Sequence, residues 1–113
     1  MMTFFSNKPE ECGIVKADSE ATIISFYEKK INPKSNLANG AVFIIEPKVL
    51  EFVKNYPYEK FDFSKDIIPH FIYKSRIWHN NFYHKDIGSN QSILEIENDK
   101  HLIKKLLKSF SKN

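Results

Sequence analysis

The chain has 113 residues, of which 42% are hydrophobic and 27% charged, and its formal net charge is +3. This length allows one domain with a modest core, and the composition is typical of a soluble globular protein rather than a disordered chain. The mild positive charge suits an anionic ligand and argues against a protein that coats nucleic acid, and no apolar run is long enough to span a membrane. A single cysteine, Cys12, excludes an internal disulfide and favours a reducing, cytoplasmic location.

The first predicted elements are the two strands of a β-hairpin. Segments rich in β-branched and aromatic residues favour strands, and two such segments flank a short polar turn. The predicted strands are Gly13–Ala17 and Thr22–Glu28, and the predicted turn is 18–21. Because successive side chains of a strand point to opposite faces, Ile24, Phe26 and Glu28 are predicted to share one face. Glu28 is therefore expected at the end of a strand, on a face that is otherwise apolar.

The middle of the chain is predicted to alternate between loop, strand and helix. Residues 29–38 are polar and contain Pro33, which predicts a loop. The continuous apolar run 41–45 is typical of a strand covered on both faces, and such a strand indicates a sheet with helices packed on it. Pro47 suits the first turn of a helix, which the apolar spacing extends to about Asn55.

The last part of the chain is predicted to contain two further helices. Ser64 is a suitable N-cap for the first, in which Asp66 lies near the positive end of the helix dipole and Pro69 bends or limits the helix. An apolar spacing of helical period predicts the second helix, whose final turns are basic. The predicted helices are 65–73 and 90–109, and short strands are predicted at 76–79 and 82–86.

Asp86 is the candidate metal ligand of the sequence. It lies between an aromatic segment and Gly88, where a strand end fixes the backbone and a turn exposes the side chain. Magnesium is usually bound by one or two carboxylates plus substrate phosphates, so Asp86 requires further ligands from elsewhere. The alternative is a turn that Asp86 forms with Gly88 and no metal. A transition-metal site of His79, His84 and Asp86 lacks the expected three-ligand spacing.

Glu28 and Lys29 are candidate ligands of a sugar phosphate. A carboxylate accepts hydrogen bonds from neighbouring hydroxyl groups, and a lysine ammonium group is a point charge for phosphate. The alternative is an exposed, charged strand end with no ligand. The three glycines, Gly13, Gly40 and Gly88, belong to no glycine-rich phosphate-binding loop, so the sequence predicts no independent nucleotide-binding element.

Five short segments occur in the order and spacing of one enzyme family. The segments are Gly13–Val15, Phe26–Lys29, Ser35–Asn39, Phe61–Asp66 with Pro69, and Asp86–Ser89. Over about residues 4–99, the chain resembles the C-terminal half of a bacterial sugar-1-phosphate nucleotidyltransferase, a family that makes nucleoside-diphosphate sugars. Within that family it is most similar to the mannose- and heptose-1-phosphate guanylyltransferases.

The resemblance implies an α/β fold, the C-terminal part of a Rossmann-like three-layer nucleotidyltransferase domain with a mixed sheet. The N-terminal nucleotide-binding half of that domain is expected to be lacking. Residues 1–113 would then form a single partial domain, in which the sugar-binding half is followed by a basic C-terminal helix and a tail.

The resemblance also implies roles for five residues. Gly13 would let the backbone approach the sugar, Glu28 would accept hydrogen bonds from sugar hydroxyls, and Lys29 would contact the sugar phosphate. Asn39 would face the sugar, and Asp86 would hold the catalytic Mg²⁺. No protein side chain is expected to act as a catalyst by itself, because phosphoryl transfer depends mainly on positioning and charge neutralisation.

The implied reaction joins an NTP, with GTP favoured, to a mannose- or heptose-type sugar-1-phosphate and releases pyrophosphate. The chain departs from the family at several places: the glycine-rich NTP-binding signature is absent, Lys30 replaces a proline, Gly40-Ala41 replaces Ala-Gly, and His84 replaces an aromatic residue. The chain is therefore expected to be a fragment that is inactive alone. The alternative is a non-catalytic sugar-phosphate-binding or regulatory subunit completed by another chain. In either case, open strand edges predict self-association or a homodimer, with no nucleic acid or membrane as partner.

Overall fold

The computed structural model describes residues 1–111, so the predicted tail to residue 113 lies outside the described residues. The chain divides into two compact units, the first spanning Met1–Asn80 and the second beginning at Asn81. Within residues 1–111, no helix combines the length and the apolar character needed to cross a membrane.

The first unit contains a five-stranded mixed sheet. Its strands are β1 (Met2–Phe5), β2 (Gly13–Ala17), β3 (Ile23–Glu28), β4 (Leu37–Asn39) and β5 (Trp78–His79). They lie side by side in the order β3-β2-β4-β1-β5. The β1–β5 pair is parallel and the other pairs are antiparallel. The prediction of an α/β fold with a mixed sheet is confirmed at this level.

The predicted β-hairpin is confirmed. β2 has the predicted bounds, and β3 begins one residue later than predicted and pairs antiparallel with it. Asp18 shapes the turn, because its Oδ1 accepts hydrogen bonds from the backbone N–H groups of Glu20 at 3.0 Å and Thr22 at 2.9 Å. Such an Asx turn explains why a short polar segment reverses the chain here.

The predicted strand over the apolar run 41–45 is wrong. The strand in this region is β4, which overlaps the last two residues of the predicted loop 29–38 and pairs with both β1 and β2. β4 ends at Asn39 because Ala41 adopts a left-handed backbone conformation with φ of 55°, although the Gly40 N–H and the Val42 carbonyl oxygen still hydrogen-bond to Met2 of β1. The Asn39 side chain accepts a hydrogen bond from the Ala41 N–H at 2.9 Å and stabilises that turn. The apolar run is therefore not a strand, and Ile44 is fully exposed.

The two helical segments of the first unit differ in how well they were predicted. Helix α1 (Pro47–Lys54) is confirmed, with Asn55 at its C-cap. The predicted helix 65–73 is instead a π-helical turn, Phe63–Ile67, followed by a 3-10 turn, Ile68–Phe71. Pro69 accounts for the change of helix type, since it has no N–H to donate to a preceding carbonyl.

The N-cap of this helical segment is also different from the prediction. Asp62 caps it, and Ser64 does not: Asp62 Oδ1 accepts hydrogen bonds from the N–H groups of Ser64 at 2.9 Å and Lys65 at 3.0 Å. The Asp66 carboxylate in turn accepts from the Asp62 N–H at 2.7 Å. Two aspartates thus satisfy the exposed backbone groups reciprocally, as in a capping box.

The predicted strand 76–79 is confirmed only in part, because Trp78–His79 joins the sheet while Arg76 makes a single bridge to Thr22. The core of the unit consists of seven buried apolar side chains, five from the strands and two from the helical turns. They are Met2, Ile14, Val15, Ile23, Ala38, Ile67 and Ile68.

The second unit consists of a loop and a long helix. The predicted strand 82–86 is wrong, since residues 81–89 contain neither strand nor helix. Side-chain contacts with the helix, described below, take the place of strand pairing in this segment. Helix α2 (Asn90–Phe110) agrees with the predicted 90–109 to within one residue. Its N-cap is Ser89, whose hydroxyl oxygen accepts a hydrogen bond from the Ser92 N–H at 3.1 Å.

Candidate functional site

Strand register brings three of the predicted site residues into one row across the sheet. Gly13 on β2 pairs with Glu28 on β3. Because Ile14 pairs with Ala38 in the antiparallel β2–β4 pair, Gly13 also lies opposite Asn39. Residues directly opposite each other on neighbouring strands point to the same face of a sheet. Glu28, Gly13 and Asn39 therefore share one face and follow one another on adjacent strands.

The Glu28 side chain lies over Gly13. A Cβ atom placed on Gly13 would be 2.7 Å from Glu28 Oε2 and 2.7 Å from Phe26 Cζ. These distances confirm that Phe26 and Glu28 share a face, as their spacing predicts. Glycine is required here by space and not by backbone conformation, since no glycine of the described residues has a positive φ. The carboxylate thus occupies the gap between its own strand and the one carrying Asn39.

Asn39 and Lys29 lie near this carboxylate and differ in their exposure to solvent. Asn39 is half-buried, and its Oδ1 accepts from the Ala41 N–H at 2.9 Å, which leaves the two N–H donors of the amide for other partners. Lys29 is exposed and follows β3 with a φ of 45°. Its backbone N–H donates to the Cys12 carbonyl oxygen at 3.2 Å, so the main chain is fixed while the ammonium group is in solvent.

The row continues onto two strands that sequence reasoning did not connect with the site. Asn39 pairs with Thr3 on β1, and Thr3 pairs with His79 on β5. Thr3 is fully buried, and its Oγ1 lies 3.3 Å from His79 Nδ1. The Phe5 ring lies beside the imidazole, with centroids 4.6 Å apart. No local signal in the sequence could place these residues in register with Asn39, because their pairings are separated by up to 76 positions.

An open groove of about 370 Å³ lies at the edge strand β3, beside the same glutamate. Glu28 at the end of β3 and Lys30 just beyond it line the groove on one side, and Ser64, Lys65 and Pro69 line it from the helical turns. Two ammonium groups and a hydroxyl thus share the groove with one carboxylate. The segment containing Ser64 and Lys65 is visible in the sequence, but its proximity to Glu28 depends on tertiary packing.

Asp86 lies in the second unit, in the loop that precedes helix α2. It is exposed, and the ion pairs found among residues 1–111 do not include it. A Cβ atom on Gly88 would lie 3.2 Å from Asp86 Oδ2, which is consistent with a turn. An exposed carboxylate without an ion-pair partner also suits a Mg²⁺ ligand that acts together with substrate phosphates.

No cluster of three or more His, Cys, Asp or Glu side chains suited to a metal occurs within the described part of the chain. This finding gives no support to the transition-metal alternative at His79, His84 and Asp86. A magnesium site at Asp86 would need only this one carboxylate from the chain, with the other ligands supplied by substrate or by other protein groups.

Four side chains of the second unit connect the loop before Asp86 to helix α2. The Tyr83 hydroxyl donates to Asp99 Oδ2 at 3.0 Å. The Lys85 ammonium group pairs with Glu95 and lies 3.9 Å from Asp99 Oδ2. We call Tyr83, Lys85, Glu95 and Asp99 the Lys85 network.

The two donors of the Lys85 network, Tyr83 and Lys85, both have a raised pKa. The pKa of Lys85 is raised, chiefly because its ammonium group hydrogen-bonds Glu95. The pKa of Tyr83 is raised by desolvation first and by its hydrogen bond to Asp99 second. The ordinary pKa values of tyrosine and lysine already exceed neutral pH, and both pKa values are raised further here. Both groups therefore keep the protons that they donate.

The chain is similar in sequence to known nucleotidyl transferases. The family model that matches the chain, over residues 1–102, is described as Nucleotidyl transferase. The glucose-1-phosphate adenylyltransferase of Bacillus subtilis is 37% identical over 94 residues, which cover 77% of this chain and 25% of that protein. The protein of the same name from Geobacillus stearothermophilus is 34% identical over 94 residues, covering 77% of this chain and 24% of that protein.

A relative from an archaeon matches a longer part of the chain. The bifunctional protein GlmU of Methanocaldococcus jannaschii is 34% identical over 107 residues, which cover 87% of this chain and 24% of that protein. The chain therefore spans about a quarter of the length of the curated relatives that it matches.

Proposed function

The chain belongs to the nucleotidyl transferase family, and we propose that its first unit carries the sugar-phosphate site of an enzyme that joins a nucleotide to a sugar-1-phosphate. The observation that carries this proposal is the row of Glu28, Gly13 and Asn39 on one face of the sheet. The carboxylate lies over Gly13, next to the strand that carries the amide, and the two groups form a short polar surface for hydroxyl groups.

The spacing of the row suits a single sugar. Neighbouring strands lie about 4.8 Å apart, so the backbones of Glu28 and Asn39 are separated by about 10 Å. Glu28 would accept hydrogen bonds from sugar hydroxyls, and the free amide N–H groups of Asn39 would donate to sugar oxygens. Gly13, which has no side chain, would leave the room over the sheet that the Glu28 carboxylate needs to face the sugar.

The phosphate would lie towards the edge of the sheet. Lys29 is the predicted contact, and the groove beside Glu28 adds Lys30 and Lys65 as two further cations. Ammonium groups attract phosphate as point charges and need no fixed geometry. The opposite signs of Glu28 and these lysines match the two ends of a sugar phosphate, hydroxyls and phosphate.

We further propose that Asp86 is a ligand of Mg²⁺ in the complete enzyme. A bound Mg²⁺ would neutralise charge on the phosphates while a sugar-1-phosphate oxygen attacks the α-phosphate of the NTP and pyrophosphate leaves. The chain's own contribution would be to orient the sugar phosphate and supply one carboxylate to the metal site.

The identity of the substrates is a separate part of the proposal. The names of the relatives favour glucose-1-phosphate and ATP, whereas the resemblance seen in the sequence favours a mannose or heptose phosphate and GTP. We propose the glucose-type sugar and the adenylyl group. Calorimetric titration of the chain with glucose-1-phosphate, mannose-1-phosphate and a heptose-1-phosphate, each with and without Mg²⁺, tests the sugar. Tighter binding of the mannose or heptose compound would reverse this assignment.

Substitution of Glu28 with glutamine is expected to weaken sugar-phosphate binding by about 1–3 kcal/mol, the range for a hydrogen bond to a charged group. Calorimetry measures this change directly. Glu20→Gln is the matched control, because Glu20 is an exposed glutamate at the opposite, turn end of the same hairpin. Equal affinities of Glu28→Gln and the unaltered chain would remove Glu28 from the sugar site.

Substitution of Lys65 with methionine is expected to weaken binding of the sugar phosphate but not of the free sugar, since it removes a cation from the groove. Fold stability should change by less than about 1 kcal/mol, because the 4.0 Å ion pair with Asp62 is solvent-exposed. Titration with both ligands distinguishes these effects, and Lys60→Met, at an exposed position outside the groove, is the control. A matching loss for the free sugar would contradict a phosphate role.

A further inference from the structure

The Lys85 network is more enclosed than a comparable ion pair on the same helix. The side chains of Lys85 and Asp99 are 26% and 29% exposed, whereas both partners of the Lys100–Glu97 pair are 58% exposed. Partly buried, multiply bonded charges restrain their neighbourhood, whereas solvated surface pairs contribute little. The Lys85 network therefore attaches the loop to helix α2, unlike a solvated ion pair on the helix surface.

Two attachments bracket Asp86. Residues 81–89 contain no strand or helix, so their conformation depends on side-chain contacts and caps. On the N-terminal side, Tyr83 and Lys85 bond to α2. On the C-terminal side, Ser89 caps the same helix through the Ser92 N–H. Glu95 and Asp99 are four residues apart and thus present one face of α2 to the loop.

We propose that Tyr83 and Lys85 are positioning residues that fix the Asp86 carboxylate for a divalent cation. This inference rests on the proposed function, in which Asp86 is a metal ligand. Metal-binding side chains are commonly oriented by outer-shell partners whose loss lowers metal affinity. Here Lys85 and Tyr83 lie one and three residues before Asp86, so they would act on it through the backbone, while helix α2 holds their side chains in place.

Replacing Lys85 is expected to change the cation affinity in opposite directions, depending on whether Lys85 acts by positioning the loop or only by its charge. Removing a positive charge next to a cation site strengthens cation binding by Coulomb's law alone. Removing an attachment of the loop weakens it. A weaker cation site in Lys85→Met would therefore oppose the charge effect and report the loss of positioning. Tyr83→Phe removes only a hydroxyl group, so its effect carries no change of charge.

The test is a titration of the full chain with Mn²⁺, which accepts the same oxygen ligands as Mg²⁺. Binding is read from the broadening of the Asp86 amide signal in two-dimensional NMR spectra, so no enzymatic activity is needed. Lys85→Met and Tyr83→Phe are expected to weaken Mn²⁺ binding at Asp86 about tenfold, the lower end for loss of an outer-shell partner. Lys85→Arg should retain the affinity, and Lys100→Met, which breaks the exposed pair on the same helix, should not change it.

Asp86→Asn separates failure of this inference from failure of the proposed metal role. If Asp86→Asn leaves the broadening intact, Asp86 is not the ligand and both ideas are wrong. If Asp86→Asn abolishes it while Lys85→Met and Tyr83→Phe bind like the unaltered chain, only the positioning role is overturned. Circular dichroism of the helix identifies a variant that has lost its fold, and Tyr83→Phe, the milder change, then decides the outcome.

Discussion

Replacing Gly13 with alanine is expected to destabilise the fold by about 1–3 kcal/mol, the usual cost of an extra methyl group in a packed site, and to abolish sugar-phosphate binding. The added Cβ would lie 2.7 Å from both Glu28 Oε2 and Phe26 Cζ. The flexible carboxylate can swing away, but it then leaves the position between its strand and Asn39. The ring has less freedom, so the cost in stability comes mainly from Phe26. Denaturant unfolding and calorimetric titration measure the two effects.

Two control variants distinguish the clash from a general effect of alanine. Gly88→Ala should be nearly neutral for stability, since its nearest neighbour is a flexible Asp86 oxygen at 3.2 Å. Adding Phe26→Leu to Gly13→Ala should recover part of the lost stability while binding stays lost. A Gly13→Ala chain with unchanged stability and unchanged affinity would show that the space above Gly13 plays no part in either.

Replacing Ile67 with alanine is expected to cost about 2–5 kcal/mol of unfolding free energy, the range for removing a large aliphatic side chain from a core. Ile67 is fully buried, although it lies in a π-helical turn rather than a regular helix. The loss should also disturb the groove, because Lys65 and Ser64 belong to the same turn. Thermal or denaturant unfolding checks the prediction.

Ile44 provides the matched control for this core substitution. It has the same side chain but is 99% exposed, so Ile44→Ala should change stability by no more than about 0.5 kcal/mol. Equal losses at the two positions would contradict the placement of Ile67 in the core and of Ile44 at the surface.

The parts of the fold that depend on neighbouring residues were predictable from the sequence. The hairpin is one example, since β2 and β3 are adjacent in the chain and Asp18 shapes the turn between them. Helix α2 is another, because Ser89 and a regular apolar spacing define its start and its length. In each case the local preference and the final structure agree.

The parts that depend on distant pairing were not predictable. β4 is only three residues long and follows a polar segment, and it is a strand because β1 and β2 pair with it on both sides. The apolar run after it was predicted as a strand by hydrophobicity, but the left-handed Ala41 interrupts the regular strand geometry at its start. Propensity gives way to tertiary context at both places.

The same distinction applies to the candidate site. Glu28 and its face could be identified from alternation within one strand. Its neighbours in the row, Gly13 and Asn39, were chosen through a resemblance, and only strand register shows that they lie side by side. The contributions of Ser64 and Lys65 to the groove require packing of the helical turns near β3, which no local pattern reveals.

The most direct test of the account is to titrate the isotope-labelled chain with glucose-1-phosphate and follow its amide signals by NMR. The account predicts saturable shifts at Gly13, Glu28 and Asn39, which form one row of the sheet, and their loss in the Glu28→Gln chain. A folded chain whose amide signals at these three positions do not respond to the ligand would contradict the central claim that this row is a sugar-phosphate site.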